Sequence, residues 1–157
     1  TRFHNERIKK VKRFAEWWPK SGTSDEILSD ISNGRENEFK IRENLNKHAP
    51  GMGRKVASLF LRMCGYHNVV PLDLWAVRFL EERGIRVIAD NHRKGEIGRK
   101  DYIEGEKKLS EIAEKHGFTP AGLQLIIYSK GSQWKPLKEH RQESKGLGLW
   151  LRQNPYQ

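Results

Sequence analysis

Apolar residues recur with the spacing of an α-helix along most of this chain. The first run lies on one face of a strongly basic segment, which predicts an amphipathic helix that ends before Pro19. No stretch shows the strict alternation of a β-strand, so we predict an all-α fold, a compact helical bundle split by a hairpin. The predicted helices cover residues 2–18, 24–32, 35–47, 54–64, 73–83, 101–116 and 119–130.

The helix that begins at Arg54 carries a dense apolar pattern. Four apolar side chains recur at positions i, i+3, i+4 and i+7, and three more widen the stripe before Gly65 ends the helix. We predict that this stripe is buried and anchors the preceding turn in the core. The stripe consists of Val56, Leu59, Phe60 and Met63, widened by Ala57, Leu61 and Cys64.

A glycine-rich turn precedes that helix and completes a predicted hairpin over residues 41–64. Because glycine permits a positive φ and a close approach of other groups, such a turn suits contact with a backbone phosphate. The helix that follows presents N–H groups and a partial positive charge, which favour the same ligand without reading any base. The predicted phosphate-binding residues are Pro50, Gly51, Met52, Gly53 and Arg54.

Lys55 and Asp73 are the candidate catalytic residues. Lys55 lies in the first turn of a helix, where the dipole disfavours the ammonium form, and a neutral lysine can form a Schiff base at a sugar C1′. Asp73 is predicted to cap the next helix, and its ionised carboxylate could stabilise positive charge on the sugar or take a proton during elimination. Alone, each residue has a plainer interpretation: Lys55 as a solvated or phosphate-contacting side chain, Asp73 as a structural cap.

Composition favours a polyanionic partner. The chain has 30 Lys and Arg residues against 20 Asp and Glu residues, a formal net charge of +10, which promotes salt-dependent association with nucleic acid. No apolar run has the length of a membrane span and no leader is evident, so we expect an intracellular protein with no membrane partner. The histidines are scattered and Cys64 is the single cysteine, so we expect no metal site and no internal disulfide.

The stretch from residue 48 to residue 84 resembles the catalytic core of the helix-hairpin-helix DNA glycosylases. The run Gly51-Met52-Gly53-Arg54-Lys55-Val56-Ala57, followed by Asp73, is similar to the motif of the 8-oxoguanine DNA glycosylase/AP lyases, and is closest to their short, single-domain branch. The resemblance implies a base-excision-repair N-glycosylase with AP lyase (β-elimination) activity, in which Lys55 forms the Schiff base. The expected substrate is double-stranded DNA that contains an oxidised purine, 8-oxoguanine in particular.

The resemblance also implies a base pocket and domain limits. Gln124 stands where the short branch has an aspartate, Tyr128 replaces a tryptophan that can stack on a base, and Lys135 takes the place of a near-terminal lysine that helps to recognise guanine. The glycosylase domain is expected to cover residues 1–135, followed by a basic, mobile tail at 136–157.

Family chemistry needs no metal or organic cofactor, although the hairpins of relatives often hold a monovalent cation on turn carbonyls. We therefore expect no resident cofactor, and besides DNA we expect such a cation as the one ligand of the hairpin. We also expect the protein to be a monomer. Because the chain begins at Thr1 within a predicted helix, we also expect that the family's upstream helices are missing from it.

Two alternatives remain open from the sequence. A non-catalytic helix-hairpin-helix module that holds DNA would explain the charge and the glycines equally well, but has no need of the pair Lys55 and Asp73. A bifunctional glycosylase for oxidised pyrimidines is kept open by Gln124, while the absence of a four-cysteine cluster argues against it.

Overall fold

The computed structural model of this protein describes residues 2–87 and 97–132. Within these ranges every regular element is a helix, which confirms the predicted all-α class. Lys135, the predicted tail at 136–157 and most of the predicted loop after the fifth helix lie outside the described residues. The helices are α1 (Arg2–Trp17), a short 3₁₀ helix (Trp18–Lys20), α2 (Thr23–Ser32), α3 (Glu38–His48), α4 (Arg54–Met63), α5 (Leu74–Glu81), α6 (Arg99–Lys115) and α7 (Pro120–Ser132).

The chain divides into two compact units between Pro71 and Leu72. The first unit holds α1 to α4 and the second holds α5 to α7. Among the helices described here, none is both long enough and apolar enough to cross a membrane.

In the first unit, α3 and α4 pack against each other as the two arms of the predicted hairpin. Aromatic side chains attach α1 to these arms: the ring centroids of Phe14 and Trp18 lie 5.4 Å apart, and Trp18 meets Phe60 edge-on, also at 5.4 Å. The buried apolar residues of this core are Ile27, Ile41, Leu45, Ala49, Ala57, Leu61, Tyr66 and Val69.

The buried face of α4 differs from the predicted one. Its buried residues are Ala57, Ser58 and Leu61, whereas Val56 and Met63 are 46% and 80% exposed. Apolar residues occupy most of the circumference of α4, so periodicity alone does not determine which face is buried. Ala57 and Ser58 are small and fully buried, which lets the two arms of the hairpin pack closely.

The helix α3 begins at Glu38 instead of residue 35, because the Asp30 carboxylate holds the preceding residues in a turn. One Asp30 oxygen accepts hydrogen bonds from the Asn37 backbone N at 3.0 Å and from the Asn37 Nδ2 at 2.8 Å. The other oxygen accepts one from the Tyr66 hydroxyl at 2.9 Å. Arg35 has a φ of +62°, which is incompatible with a right-handed helix.

These contacts set the protonation of both groups. Burial by itself raises the pKa of the Asp30 carboxyl, but the hydrogen bonds from Asn37 and Tyr66 outweigh it and leave this pKa below its usual value. Burial and the adjacent carboxylate raise the pKa of the Tyr66 hydroxyl. Asp30 is therefore ionised and Tyr66 neutral at physiological pH.

In the second unit, each of the three helices packs against the other two. The Leu72 N–H donates to the Tyr102 hydroxyl at 3.2 Å, which attaches the start of this unit to α6. Gly105 of α6 leaves the space that Leu72 and Val87 occupy, since a β-carbon there would lie 3.0 Å from a methyl carbon of each. The helix α7 continues past its predicted end at residue 130 and includes Gly131.

We expect Asp30→Asn to lower the free energy of unfolding by about 1–3 kcal/mol at pH 7, because hydrogen bonds to a charged acceptor are lost. Since the folded state lowers this pKa from the unfolded value of about 3.9, the contribution is present above about pH 4 and is lost as pH falls through the folded-state value. Urea denaturation of both proteins, followed by circular dichroism from pH 7 downwards, measures this difference.

Asp25→Asn is the matched control, because Asp25 is exposed on the same helix. It should change the free energy of unfolding by less than about 1 kcal/mol. A difference for Asp30→Asn that stayed constant into acid would contradict the assigned role of its carboxylate.

Candidate active site

The N-terminus of α4 bears positive charge that no residue of its own helix offsets. Its N-cap, Gly53, has no side chain to accept the free N–H groups, and the first turn holds Arg54 and Lys55 but no acidic residue. Each of the other helices from α2 to α7 has an acidic residue in its first turn or a side-chain cap. These groups are Asp25 and Glu26 in α2, Glu38 in α3, Asp73 before α5, Asp101 in α6 and Thr119 before α7. A helix start of the α4 kind attracts an anion.

The turn before α4 has the conformation that its glycines allow. Gly51 has a φ of +80°, and the Met52 N–H donates to the Ala49 carbonyl at 3.2 Å. Gly51 and Gly53 are exposed, Pro50 is half-buried, and the half-buried Met52 side chain packs against the core of the first unit. The Met52 side chain is thus held by the core and its N–H by the turn, and phosphate contact by these residues stays a prediction.

Arg54 joins the two arms of the hairpin. Its Nε and one terminal nitrogen donate to the two Glu43 oxygens at 2.9 Å and 2.7 Å. This two-point ion pair fastens the first turn of α4 to α3. The sequence offered no signal for it, and phosphate contact by Arg54 stays a prediction.

Lys55 is exposed in the same first turn. Leu59, one turn further along, is 38% exposed, so this apolar neighbour of Lys55 is also open to solvent. Lys55 therefore lies next to the N–H groups of the α4 N-terminus, on the side of the hairpin that solvent reaches.

Asp73 caps α5, as predicted. One carboxylate oxygen accepts a hydrogen bond from the Ala76 N–H at 2.8 Å. The other oxygen accepts one from the Gln124 side-chain nitrogen, also at 2.8 Å. The carboxylate is thus held at both oxygens, by its own helix and by α7.

Gln124 and Tyr128, predicted to line a base pocket, lie one turn apart on α7. Gln124 is 1% exposed, while Tyr128 is 48% exposed. The structure therefore assigns the Gln124 side chain a contact that the sequence did not predict, the hydrogen bond to Asp73. Tyr128 keeps an accessible aromatic face, and Lys135 lies outside the described residues.

The first turn of α5 packs closely on α7. A β-carbon at Gly131 would lie 2.6 Å from the Trp75 ring, so only glycine fits between these helices at this point. The Arg78 guanidinium also lies over the Trp75 ring, 4.9 Å from the ring centroid. This packing holds α7, and with it Gln124, against the helix that Asp73 caps.

Lys55 belongs to the first unit and Asp73 to the second. Within the described ranges, no group of three or more His, Cys, Asp or Glu side chains could hold a metal ion. Lys55 offers an amine, Asp73 a carboxylate, and the first turn of α4 a set of open N–H groups.

The fold and these residues define a helix-hairpin-helix protein of the DNA glycosylase type. Residues 1–118 match the family model described as 8-oxoguanine DNA glycosylase, and the chain belongs to that family.

Curated relatives carry the name 8-oxoguanine DNA glycosylase/AP lyase. The chain is 32% identical to the protein of Korarchaeum cryptofilum over 102 residues, which is 65% of this chain. It is 31% identical to that of Aquifex aeolicus over 123 residues, 78% of this chain, and 35% identical to that of Methanocaldococcus jannaschii over 101 residues, 64% of this chain. In each case the match spans 47% of the relative, about half its length. No solved structure matches the chain significantly.

We expect Gly131→Ala to lower the free energy of unfolding by about 1–3 kcal/mol, because the added methyl group overlaps the Trp75 ring. Without that overlap, the same change would favour the helix by about 1 kcal/mol. Urea denaturation measures the sign. Lys130→Ala, at an exposed neighbouring position, serves as the control and should change stability by less than about 0.5 kcal/mol. An increase in stability for Gly131→Ala would disprove the contact.

Asp73→Ala should cost about 1–3 kcal/mol of unfolding free energy, because it removes the α5 cap and the acceptor of the buried Gln124 amide. Asp73→Asn should cost less than Asp73→Ala, since its one side-chain oxygen can still cap the helix although its amide nitrogen cannot accept from Gln124. Thermal and urea denaturation of the two variants provide the comparison. Equal losses would show that the Asp73 oxygens do not carry these hydrogen bonds.

Proposed function

We propose that this protein is a bifunctional DNA glycosylase/AP lyase that removes an oxidised purine, 8-oxoguanine, from duplex DNA and then cleaves the strand. The observation that carries the proposal is the family match over residues 1–118, a range that contains both Lys55 and Asp73. The open N-terminus of α4 and the formal net charge of +10 support a DNA ligand.

Binding starts at the hairpin in this proposal. The N–H groups of the first turn of α4, next to Gly51 and Gly53, bind a phosphate of the DNA backbone. This contact is independent of base sequence, so it positions the enzyme without selecting a lesion. The damaged nucleotide then leaves the base stack, at a cost of a few kcal/mol that weakened pairing reduces.

Lys55 supplies the nucleophile. Its neutral amine forms a bond to C1′ while the glycosidic bond breaks, and the base leaves with that electron pair and takes up a proton. The C1′–O4′ bond then opens, O4′ gains a proton, and an iminium remains between Lys55 and the sugar. Loss of a C2′ proton expels the 3′ phosphate, which is the strand cleavage, and water finally releases the lysine.

Asp73 stabilises the positive charge that develops on the sugar, and it is a candidate acceptor for a proton in the elimination. Each of its oxygens accepts one hydrogen bond from the protein, and a carboxylate oxygen has a second lone pair available. The carboxylate is held in one orientation, so little reorganisation is needed when charge develops.

Tyr128 and Lys135 are the proposed contacts to the extruded base. The exposed ring of Tyr128 offers a stacking surface, and a lysine can donate to the acceptors of guanine. Gln124 supports Asp73 in this proposal, which leaves the choice of base to the other two residues. The mechanism requires no organic cofactor, and the monovalent cation expected at the hairpin stays a prediction.

Borohydride trapping tests the proposal, because the reagent reduces the iminium to a stable amine. The unsubstituted chain should be trapped on a duplex with one 8-oxoguanine opposite cytosine and on an abasic-site duplex. Lys55→Gln should lose trapping on both, because the attacking nitrogen is gone, while its DNA affinity falls by less than about tenfold. The control Lys40→Gln changes an exposed lysine of the same unit and should be trapped like the unsubstituted chain.

The other outcomes separate the parts of the proposal. Trapping on the abasic duplex alone would reject 8-oxoguanine and retain the lyase. Trapping of Lys55→Gln would remove Lys55 from its role. Binding without trapping or nicking would favour the second candidate, a non-catalytic DNA-binding module. The open N-terminus of α4 supports this candidate as well.

A further inference from the structure

The hairpin turn packs against the side chain of a lysine of α1. A β-carbon built at Gly51 would lie 3.0 Å from the Lys10 Cβ and 3.2 Å from both its Cγ and its Cδ. The aliphatic part of Lys10 therefore runs along the turn, in space that exists only because residue 51 is glycine. The ammonium group is two covalent bonds beyond a Cδ that already touches the turn.

The position of Lys10 is set by the packing of α1. Phe14, one turn further along the same face, packs against the core of the first unit, as does Trp17. The ring contacts from Phe14 to Trp18 and from Trp18 to Phe60 extend this anchor to α4. Lys10 therefore lies on the same face of α1 as Phe14, beyond the core contacts and next to the hairpin turn.

Lys10 is also available for an external anion. The neighbouring Lys9 forms an ion pair with Glu6 at 3.3 Å, whereas no carboxylate among the described residues pairs with Lys10. A lysine ammonium acts as a strongly hydrated point charge on a flexible stem, which suits a phosphate diester better than a buried protein partner.

We propose that Lys10 forms the second half of the hairpin's phosphate site, binding a DNA backbone phosphate beside the one held by the N-terminus of α4. This inference rests on the proposed function, because it takes DNA as the ligand of the hairpin. It adds a residue from α1, outside the hairpin motif, to the DNA-binding surface.

The test is the salt dependence of binding to an undamaged duplex, measured by fluorescence anisotropy between 50 and 200 mM salt. Each phosphate contact contributes about −0.9 to the slope of log K against log salt concentration, so removal of one contact makes the slope less steep by about 0.9. Lys10→Gln should therefore lose about threefold more affinity, relative to the unsubstituted chain, at 50 mM than at 200 mM salt. Lys10→Arg, which keeps the charge, should retain the original slope.

Lys12→Gln is the matched control. Lys12 is exposed on the same helix but lies about 200° around it from Lys10, so the same change in net charge occurs away from the turn. Its slope should equal that of the unsubstituted chain. Equal decreases for Lys10→Gln and Lys12→Gln would reduce the effect to overall charge and overturn the inference.

An unchanged slope for Lys10→Gln, with normal binding by the unsubstituted chain, would overturn the inference and leave the proposed function standing. Absence of DNA binding by the unsubstituted chain would contradict the proposed function itself, and the inference with it. Circular dichroism of each variant, which should retain the helical signal, confirms that the comparison is between folded proteins.

Discussion

The N–H groups at the start of each helix must find acceptors, and this requirement organises an all-α chain. Asp73 meets it for α5, where it accepts from the Ala76 N–H. Carboxylates also bind backbone N–H groups outside the helices: Asp30 binds that of Asn37 before α3, and Glu38 binds two in the connection after α4. The helix α4 is the exception among α2 to α7, because Gly53 has no side chain and no acid lies in its first turn. The place proposed to bind DNA phosphate is thus a helix start that has neither a side-chain cap nor an acidic residue in its first turn.

Local chemistry explains which features the sequence could predict. The helices follow from periodicity, the open turn from its glycines, and the Asp73 cap from a carboxylate just before an apolar run, all within a few residues. The missed features depend on distant partners. Gln124 reaches Asp73 across 51 positions, and Gly131 lies within α7 at a point where the Trp75 ring leaves no room for a β-carbon. The buried face of α4 also depends on a partner, because α3 packs against the side that holds Ala57 and Ser58. The sequence of α4 alone does not specify this side.

The structural role of Asp73 and its proposed chemical role do not compete. A cap residue must keep its carboxylate close to the helix start, which restricts its rotamer, and the Gln124 amide restricts it further. Together, the two contacts use one lone pair on each carboxylate oxygen and leave the second lone pair of each oxygen available. The hydrogen bonds that stabilise α5 are therefore the same ones that would hold the carboxylate ready for a positive charge. The proposed catalytic role of Asp73 therefore requires nothing of the fold beyond an ordinary helix cap.

Lys55 presents the opposite case. A cation in the first turn of a helix opposes the dipole and costs roughly 0.3–1 kcal/mol. Arg54 recovers this cost through its two-point ion pair with Glu43, whereas no such pair forms with Lys55 among the described residues. Lys55 also contributes nothing to burial, since it is exposed. The fold therefore gains no stability from this lysine, which lies beside the helix start proposed to bind a DNA phosphate. The proposed function supplies a physical reason for a lysine at this position, namely the attack of its amine on the sugar of a bound DNA strand.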